Sequence, residues 1–268
     1  MYVTDKVVIV TGGLKGIGFA ITQQLLRNGA KYVAIFDLFD AKDAIVNRVM
    51  ESLKREFHPG NFGYYQCNVA NATEFTASYE KVEALKKYVD ILINNAGICN
   101  ENKLDEMIAV NFTAVVHGTM MAVSRMDINR SGKGGTIINV GCIFGLINEP
   151  AHPLYNATKH AVVSYVRSLK ENNSEFGVRI LCMCPGMTET EFASADNFDE
   201  ILPNFVNQDA IQKHMMTFNI YMQKPESVAV GIIEMLEKAK EGEVWVAQKD
   251  HPPFPVEDFG NVENLITA

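Results

Sequence analysis

Short apolar runs alternate with longer segments of helical periodicity along most of this 268-residue chain. The runs predict strands near residues 6–10, 32–36, 62–67, 90–94, 135–140 and 178–183, with a further strand near 243–247. Runs that are short, apolar and rich in β-branched residues are typical of strands buried on both faces. Because helical segments fill the intervals, the pattern predicts one α/β domain over residues 1–268, with a doubly wound parallel sheet of about seven strands and helices on both faces.

A glycine-rich turn joins the first predicted strand to the first predicted helix. Residues 11–18 read T-G-G-L-K-G-I-G, and apolar residues at helical spacing follow. A strand, a glycine turn and a helix N-terminus let bare backbone approach a pyrophosphate, whose charge the helix dipole favours. The arrangement indicates a Rossmann fold with a dinucleotide site, although an ordinary tight turn is the alternative. The cofactor contacts predicted in this turn are Gly12, Leu14, Gly16, Ile17 and Gly18.

The second predicted strand ends at Asp37, where a dinucleotide-binding fold places an acidic residue against the adenosine ribose. A carboxylate there accepts hydrogen bonds from both ribose hydroxyls and repels a 2′-phosphate. No Arg or Lys follows before Lys42. The position favours NAD over NADP, with a surface acid after a strand as the alternative.

Tyr155 and Lys159 are one helical turn apart in a segment of helical periodicity. An unperturbed phenol, with a pKa of about 10, is a poor acid and base near neutrality. A neighbouring ammonium favours the ionised phenol, which can then exchange a proton with an alcohol or a ketone. The pair indicates redox chemistry between alcohol and carbonyl, although this spacing alone also arises by chance.

Five motifs, in their order and spacing, resemble the short-chain dehydrogenase/reductase family. They are the glycine turn, N-N-A-G at 94–97, Asn111, the pair of Tyr155 and Lys159, and Pro185-Gly186. The resemblance extends from about Asp5 to Val246. Segments 108–113 and 241–245 are similar to the insect-type alcohol dehydrogenases of this family, whereas 67–70, 100–103 and 184–186 are similar to its 15-hydroxyprostaglandin dehydrogenases. Both alternatives stay open.

The resemblance implies a role for each matching residue. Tyr155 is the general acid and base, Lys159 lowers its pKa and binds the nicotinamide ribose, and Asn111 holds a water in a proton relay to solvent. Further cofactor contacts are implied at Asp37, Asn68, Val69, Asn95, Ala96, Gly97, Pro185, Gly186 and Thr190. The hydride chemistry belongs to NAD, so the protein's task is to orient it against the substrate.

Two positions depart from the family's pattern. Asn68 stands where the family usually has an aspartate that accepts a hydrogen bond from the adenine amino group, and an amide carbonyl can do nearly the same. Cys142 stands thirteen residues before Tyr155, where the family has its catalytic serine, and no serine or threonine lies between Thr136 and Tyr155. Because a thiol donates weakly, we expect Cys142 to polarise a carbonyl less well than a hydroxyl does.

Composition and charge argue against several other functions. The net charge of −8 leaves no basic stripe for nucleic acid. The sequence contains no run of eighteen apolar residues and no N-terminal signal pattern, so neither a membrane span nor secretion is expected. Five cysteines scattered through predicted strands and their ends indicate reduced thiols of a cytoplasmic protein, and no metal site is expected.

Two late segments lack a regular pattern. Segment 187–224 is rich in aromatic residues and methionine. Placed over the carboxyl ends of the strands, it would form a lid for a small apolar alcohol or ketone, and a helical pair that merely packs is the alternative. The proline-rich tail, about 250–268, is expected to run extended over the surface, joining neither helix nor sheet.

Two functions from different classes remain open at this point. The chain is either an NAD-dependent short-chain alcohol dehydrogenase or carbonyl reductase, whose rate Cys142 would lower, or a catalytically silent relative that keeps the NAD fold to bind a ligand or a partner. Retention of Tyr155, Lys159 and Asn111 together favours the enzyme. Apolar residues on the helices near 102–126 and 153–171 predict a homodimer or homotetramer.

Overall fold

The computed structural model describes residues 1–170, 174–193, 207 and 221–257. The strands of this part are β1 (Val7–Thr11), β2 (Tyr32–Asp37), β3 (Phe62–Gln66), β4 (Ile91–Asn94), β5 (Gly135–Val140), β6 (Val178–Pro185), β7 (Val244–Ala247) and β8 (Phe254–Val256). They form one sheet in the order β3-β2-β1-β4-β5-β6-β7-β8. Neighbouring strands are parallel, apart from β7 and β8, which are antiparallel. The predicted doubly wound sheet is confirmed.

Helices cover both faces of the sheet. In the described residues they are α1 (Gly16–Arg27), α2 (Ala44–Glu56), α3 (Ala72–Lys86), α4 (Leu104–Ile108), α5 (Ala114–Met126), α6 (Pro153–Leu169) and α7 (Pro225–Lys238). Buried side chains of α1, α2 and α7 pack on one face, and those of α3, α5 and α6 pack on the other. Alternation along each strand supplies both layers: Val8 and Val10 of β1 face the first, while Val7 and Ile9 face the second.

The parallel strands all end at one edge of the sheet, and the strand order reverses between β1 and β4. A crevice forms outside the carboxyl ends of strands at such a reversal, and ligands bind there. The residues that end strands at this edge include Thr11, Asp37, Asn94, Val140 and Pro185. The fold therefore gathers the sequence-predicted site residues at one place.

The proline-rich tail corrects one expectation. Residues Phe254–Val256 form β8, which pairs antiparallel with β7 through Val244↔Val256 and Val246↔Phe254. The prediction that this segment joins no sheet was wrong, because proline is tolerated in an edge strand whose N–H side faces solvent. The sheet gains an eighth strand in this way. The remainder of the tail, 258–268, lies outside the described residues.

The helical span of residues 104–126 contains an irregularity. A π-turn at Ala109–Thr113 separates α4 from α5 and buries Asn111. By length and mean hydropathy of 1.4, the span is the one segment among the described residues that could cross a membrane. Here its inner side packs in the core through Met107, Val115 and Met126.

The expected lid falls mostly outside the described part of the chain. Its two ends are tied together, since Thr188 and Gln223 form an isolated parallel bridge. The Gln223 side chain is buried and donates to the Ala247 carbonyl at 2.8 Å. The base of the segment is thereby fixed beside the carboxyl ends of β6 and β7.

Candidate active site

The glycine turn after β1 lies in direct contact with the loop after β4. Gly12 has φ +62°, and a Cβ there would lie 3.0 Å from the Ala96 Cα. A Cβ on Gly18 would lie 2.0 Å from the Gly12 carbonyl oxygen and 2.5 Å from the Asn95 Nδ2. Gly16, with φ +48°, also has a conformation that favours glycine. Side chains at Gly12 and Gly18 would collide with the loop after β4 and with the turn itself, so this close approach requires glycine.

The N-terminus of α1 is open to an anion. Lys15 precedes the helix without a side-chain capping bond, and the first turn carries no acidic residue. Its N–H groups and the helix dipole therefore suit a pyrophosphate. Leu14 is buried beneath the turn and Ile17 is half-buried on the helix. The bare cradle and the uncapped helix end together fit a dinucleotide.

Asp37 lies beside this cradle, as predicted. Its Oδ2 accepts from the Leu14 N–H at 3.1 Å and its Oδ1 accepts from the Leu38 N–H at 2.8 Å. Burial raises the pKa of Asp37, while these N–H groups and Lys15 oppose that rise. The carboxylate is thus held in place at the end of β2, where a ribose would lie.

Thr11 is a site residue that sequence reasoning missed. Its buried hydroxyl accepts from the N–H groups of Asn95 and Ala96 at 2.9 and 3.0 Å, and the Asn95 amide donates to the Thr11 carbonyl at 2.9 Å. These bonds fasten the β4 loop to the glycine turn. The threonine of the motif was visible in the sequence, but its partner loop, more than eighty residues away, was not.

Asn68 and Val69 lie at the end of β3, on the adenine side of the cradle. The Asn68 N–H donates to Glu74 Oε1 at 2.9 Å, and its Oδ1 accepts from the Ala70 N–H at 3.0 Å. An amide oxygen has a second lone pair, so this bond leaves it able to accept from an adenine amino group. Val69 is buried beside it.

Asn111 holds the β4 loop against α6. Its Oδ1 accepts from the Ile98 N–H at 2.9 Å, and its Nδ2 donates to the Ile98 carbonyl at 2.8 Å and to Thr158 Oγ1 at 3.2 Å. A Cβ on Gly97 would lie 3.5 Å from Asn111 Oδ1 and 3.6 Å from Lys159 Nζ. The side chain of Asn111 is therefore a structural clasp beside Lys159, and the implied water relay stays a prediction.

Tyr155 and Lys159 lie buried on successive turns of α6, facing the end of β5. Lys159 Nζ donates to the Val140 carbonyl at 3.0 Å and lies 5.6 Å from the centre of the Tyr155 ring. Burial lowers the pKa of Lys159. Burial, with a contribution from Cys142, raises the pKa of Tyr155 well above its ordinary value. Desolvation of the phenol is the largest of these effects, and the implied lowering of the Tyr155 pKa by Lys159 stays a prediction.

Two cysteine thiols, those of Cys99 and Cys142, lie close to Tyr155 and Lys159. Cys142 follows β5, begins the short 3₁₀ turn Ile143–Gly145 and interacts with the Tyr155 hydroxyl. Burial raises the pKa of Cys142, whereas the Phe144 N–H and the Lys159 ammonium partly offset that rise. Cys99 lies close by, and burial raises its pKa to about 12. These thiols are therefore neutral near pH 7, and Cys142 can act as a weak donor.

The segment after β6 closes the other side of the cradle. The Gly186 N–H donates to the Ala247 carbonyl at 2.8 Å, and its own carbonyl accepts from Thr188 Oγ1 at 2.8 Å. The Thr190 methyl group lies 3.0 Å from where a Gly16 Cβ would stand. Thr190 is thus brought to the glycine turn, and the implied contact of Pro185, Gly186 and Thr190 with the nicotinamide stays a prediction.

Phe192, which belongs to the expected lid, and Glu101 are further neighbours of Tyr155. The Phe192 ring lies 5.7 Å from the Tyr155 ring and is 46% exposed. Glu101 is buried and accepts from the N–H groups of Leu154 and Tyr155. The capping role of Glu101 could not be predicted from the linear sequence, because its partners are more than fifty residues away.

Comparison with known proteins agrees with this geometry. The short chain dehydrogenase family model matches residues 6–200. The 15-hydroxyprostaglandin dehydrogenase [NAD(+)] of Rattus norvegicus is 32% identical over 88% of both chains. Alcohol dehydrogenase 1 of Ceratitis cosyra is 27% identical over 93% of this chain and 94% of its own. The crystal structure of gox2181 shares the fold, with a TM-score of 0.75 and 24% identity over 92% of this chain and 98% of its own.

These relatives include both groups that the sequence motifs resembled. The glycine cradle, the uncapped α1 terminus and Asp37 fit the cofactor that the first relative's name gives. The chain belongs to the short-chain dehydrogenase family of oxidoreductases, and its cofactor is NAD.

Proposed function

We propose that the protein interconverts an apolar alcohol and its ketone or aldehyde, with Tyr155 as the general acid and base. The observation that carries the proposal is the placement of the phenol and the Lys159 ammonium, both buried on one face of α6 at the carboxyl end of β5. A proton-exchanging group must lie within reach of the substrate oxygen, and this crevice is where the cofactor cradle also opens.

Tyr155 handles the proton. In the oxidative direction the phenolate takes the proton of the substrate hydroxyl, and in the reductive direction the phenol returns it. Lys159 stays beside the ring because its ammonium donates to the Val140 carbonyl at 3.0 Å. Asn111 fixes the loop that separates this pair from the adenosine side.

NAD supplies the hydride acceptor or donor when it is bound. The residues that would hold it are the glycine turn at its pyrophosphate, Asp37 at the adenosine ribose, and Lys159 at the nicotinamide ribose. Pro185, Gly186 and Thr190 would enclose the nicotinamide end. With oxidised NAD bound there, the pKa of Tyr155 would fall, because a positive charge favours the ionised phenol and opposes the effect of burial.

Cys142 takes the position of the substrate-polarising donor. Its thiol is neutral and interacts with the Tyr155 hydroxyl, so it can orient a carbonyl oxygen without adding a negative charge. As a weak donor it stabilises a developing alkoxide less than a hydroxyl would. The expected consequence is a working but slow enzyme.

The substrate is proposed to be apolar on the side of Phe192. This ring lies 5.7 Å from the Tyr155 ring and supplies apolar surface beside it. Incubation with NAD and a panel of secondary, long-chain and isoprenoid alcohols, followed by NADH absorbance, tests the activity directly. Turnover of at least one alcohol is the expected result.

The second candidate is a silent NAD-binding relative, which the thiol at position 142 favours. It would bind NAD with no turnover on any member of the panel or on the matching ketones with NADH. Retention of the buried Tyr155 and Lys159 supports the enzyme instead, because a binding protein has no need of a proton-exchanging pair.

The enzyme is further proposed to be a cytoplasmic homodimer or homotetramer. Leu104, Ile108 and Met120 lie exposed along residues 104–126, with Met120 at 63%. Exposed large apolar side chains along one helical span favour an interaction with another subunit. The five cysteines are all free, which suits a reducing compartment.

A further inference from the structure

Glu101 is a buried carboxylate at the start of the catalytic helix. The side chain belongs to the loop after β4, and the residue is 6% exposed. Its Oε2 accepts from the Leu154 N–H at 2.8 Å and its Oε1 accepts from the Tyr155 N–H at 2.9 Å. One carboxylate thus fixes two consecutive backbone groups, including that of the catalytic tyrosine.

The helix has no cap of its own at this end. His152, which precedes α6, makes no side-chain capping bond, and Pro153 at the first position has no N–H. The next free donors are the N–H groups of Leu154 and Tyr155, and Glu101 satisfies both. The cap is therefore supplied from a distant loop, so the position of the first turn depends on where that loop lies.

Keeping Glu101 ionised at this buried position costs free energy. Burial raises its pKa, and the two N–H groups oppose that rise. In the part of the chain that the structure describes, no Lys, Arg or His forms an ion pair with it. A neutral Ser or Asn before α6 would cap the helix at less cost. What the carboxylate adds is a bidentate link between two segments.

The other end of the same loop is the wall of the cofactor cradle. Asn95 and Ala96 are bonded to Thr11 beneath the glycine turn, and Ile98 is clasped by Asn111. Residues 95–101 therefore run from the cofactor cradle to the first turn of α6 and are fastened at both ends. A displacement of either end of this loop would therefore displace the other end.

We propose that Glu101 is the positioning residue for Tyr155, holding the phenol in register with the cofactor cradle through the β4 loop. The inference rests on the proposed function, since it assigns the phenol a catalytic task. Glu101 contacts backbone only and takes no part in proton transfer.

The test compares Glu101→Ala and Glu101→Gln with wild type. The alanine removes both acceptors, whereas the glutamine keeps one oxygen and presents N–H hydrogens to the second donor. Glu106→Ala is the matched control, because Glu106 is an exposed carboxylate five residues on that pairs with Lys103. For each protein we would measure kcat and KM for NAD and an accepted alcohol, calorimetric NAD affinity, and amide exchange across residues 153–159.

The expected result is graded. Glu101→Ala lowers kcat by about tenfold or more, since a displacement of about 1 Å can cost about 10²-fold, while KM for NAD changes little. Amide exchange of the first turn of α6 rises, Glu101→Gln lies between alanine and wild type, and Glu106→Ala matches wild type. A Glu101→Ala protein that is folded and less stable, yet has the kcat of wild type, would overturn the proposal.

Crystal structures of wild type and Glu101→Ala separate this proposal from the proposed function. If wild type turns over no member of the alcohol panel, the proposed function fails, and the position of the phenol relative to the Val140 carbonyl and Cys142 still decides the role of Glu101. A displaced phenol supports positioning. An unmoved phenol overturns it. If Glu101→Ala does not fold, Glu101→Gln carries the same comparison.

Discussion

The two halves of the crevice present different kinds of chemical group. The cofactor half, from the glycine turn to Asp37, consists of backbone N–H groups, bare glycine surface and one carboxylate held by two N–H groups. The half that is proposed to be catalytic, from the end of β5 to the first turns of α6, consists of side chains that can gain or lose protons. Tyr155 and Lys159 are buried, and Cys142 is partly buried.

The difference separates binding from reactivity. Backbone donors and dipoles at the cofactor half are fixed by the fold, so their contribution varies little with pH. Desolvation governs the catalytic half, where it raises the pKa of the phenol and the thiol and lowers that of the lysine. Substitutions in the cofactor half should therefore change mainly the affinity for NAD, and substitutions in the catalytic half should change mainly kcat.

Removing the phenol is expected to give the largest effect. Tyr155→Phe should reduce kcat by about 10²-fold or more, because general acid–base catalysis contributes about 10²–10⁴-fold. Calorimetry should show NAD affinity nearly unchanged. Tyr165→Phe, which alters a half-buried tyrosine on the same helix, is the control. A Tyr155→Phe protein as active as wild type would show that the chain does not use this mechanism.

Restoring a hydroxyl is expected to speed the catalytic half. Cys142→Ser should raise kcat by about tenfold or more, because one preorganised donor at such a site is worth about 10²–10³ in rate. Cys67→Ser, at a buried thiol at the end of β3, serves as the control. Steady-state assays on one accepted alcohol at saturating NAD measure the change. An unchanged or lower rate would mean that the thiol is adapted to its substrate or that the site is silent.

Discrimination between cofactors tests the other half alone. Wild type should bind NAD at least about tenfold more tightly than NADP, because repulsion between Asp37 and a 2′-phosphate exceeds the ~1.4 kcal/mol that corresponds to tenfold. Asp37→Ala should reduce the difference in affinity between NAD and NADP and leave kcat with NAD nearly unchanged. Asp40→Ala is the control. Calorimetric titration of both cofactors gives the ratio. Equal affinities for wild type would refute the role given to Asp37.

Subunit association tests whether the catalytic half also faces a partner. Light scattering at micromolar concentration should give a mass about two or four times that of the 29.8 kDa chain. Met120→Lys places a charge on an exposed apolar side chain of α5 and should shift the mass towards the monomer. Val230→Lys, at an equally apolar exposed residue of α7, is the control. A wild-type mass near 30 kDa contradicts the prediction.

His152 should produce the smallest effect, visible as a dependence of stability on pH. Burial lowers its pKa below the ordinary 6.5, so the unfolded chain binds a proton more readily than the folded protein does. Stability present above pH 6.5 is therefore lost as pH falls from 6.5 towards the lower folded pKa. Thermal melts between pH 7.5 and 5.5 should show a smaller decline for His152→Gln. Parallel declines for both proteins would exclude this contribution.

Local patterns predicted much of the site, and contacts between distant segments could not be predicted. The glycine turn, Asp37, Tyr155 and Lys159 each depend on spacing within one or two elements, and the structure places all of them at one edge of the sheet. The Thr11 hydroxyl, the clasp at Asn111 and the cap from Glu101 depend on loops that meet only after folding. The effect of burial on the pKa of Tyr155 could not be predicted for the same reason, because desolvation depends on everything packed around the ring.

The eighth strand has a consequence for solubility. An unpaired strand edge is a template on which another chain can add, and proteins protect such edges with proline and charge. β8 covers β7, and Pro255 leaves its outer side without one of the backbone donors that a further strand would need. Removing residues 254–256 would expose β7, whose residues Val244, Trp245 and Val246 are apolar and prone to cross-chain pairing. The short strand β8, with its proline, thus protects this edge of the sheet against aggregation.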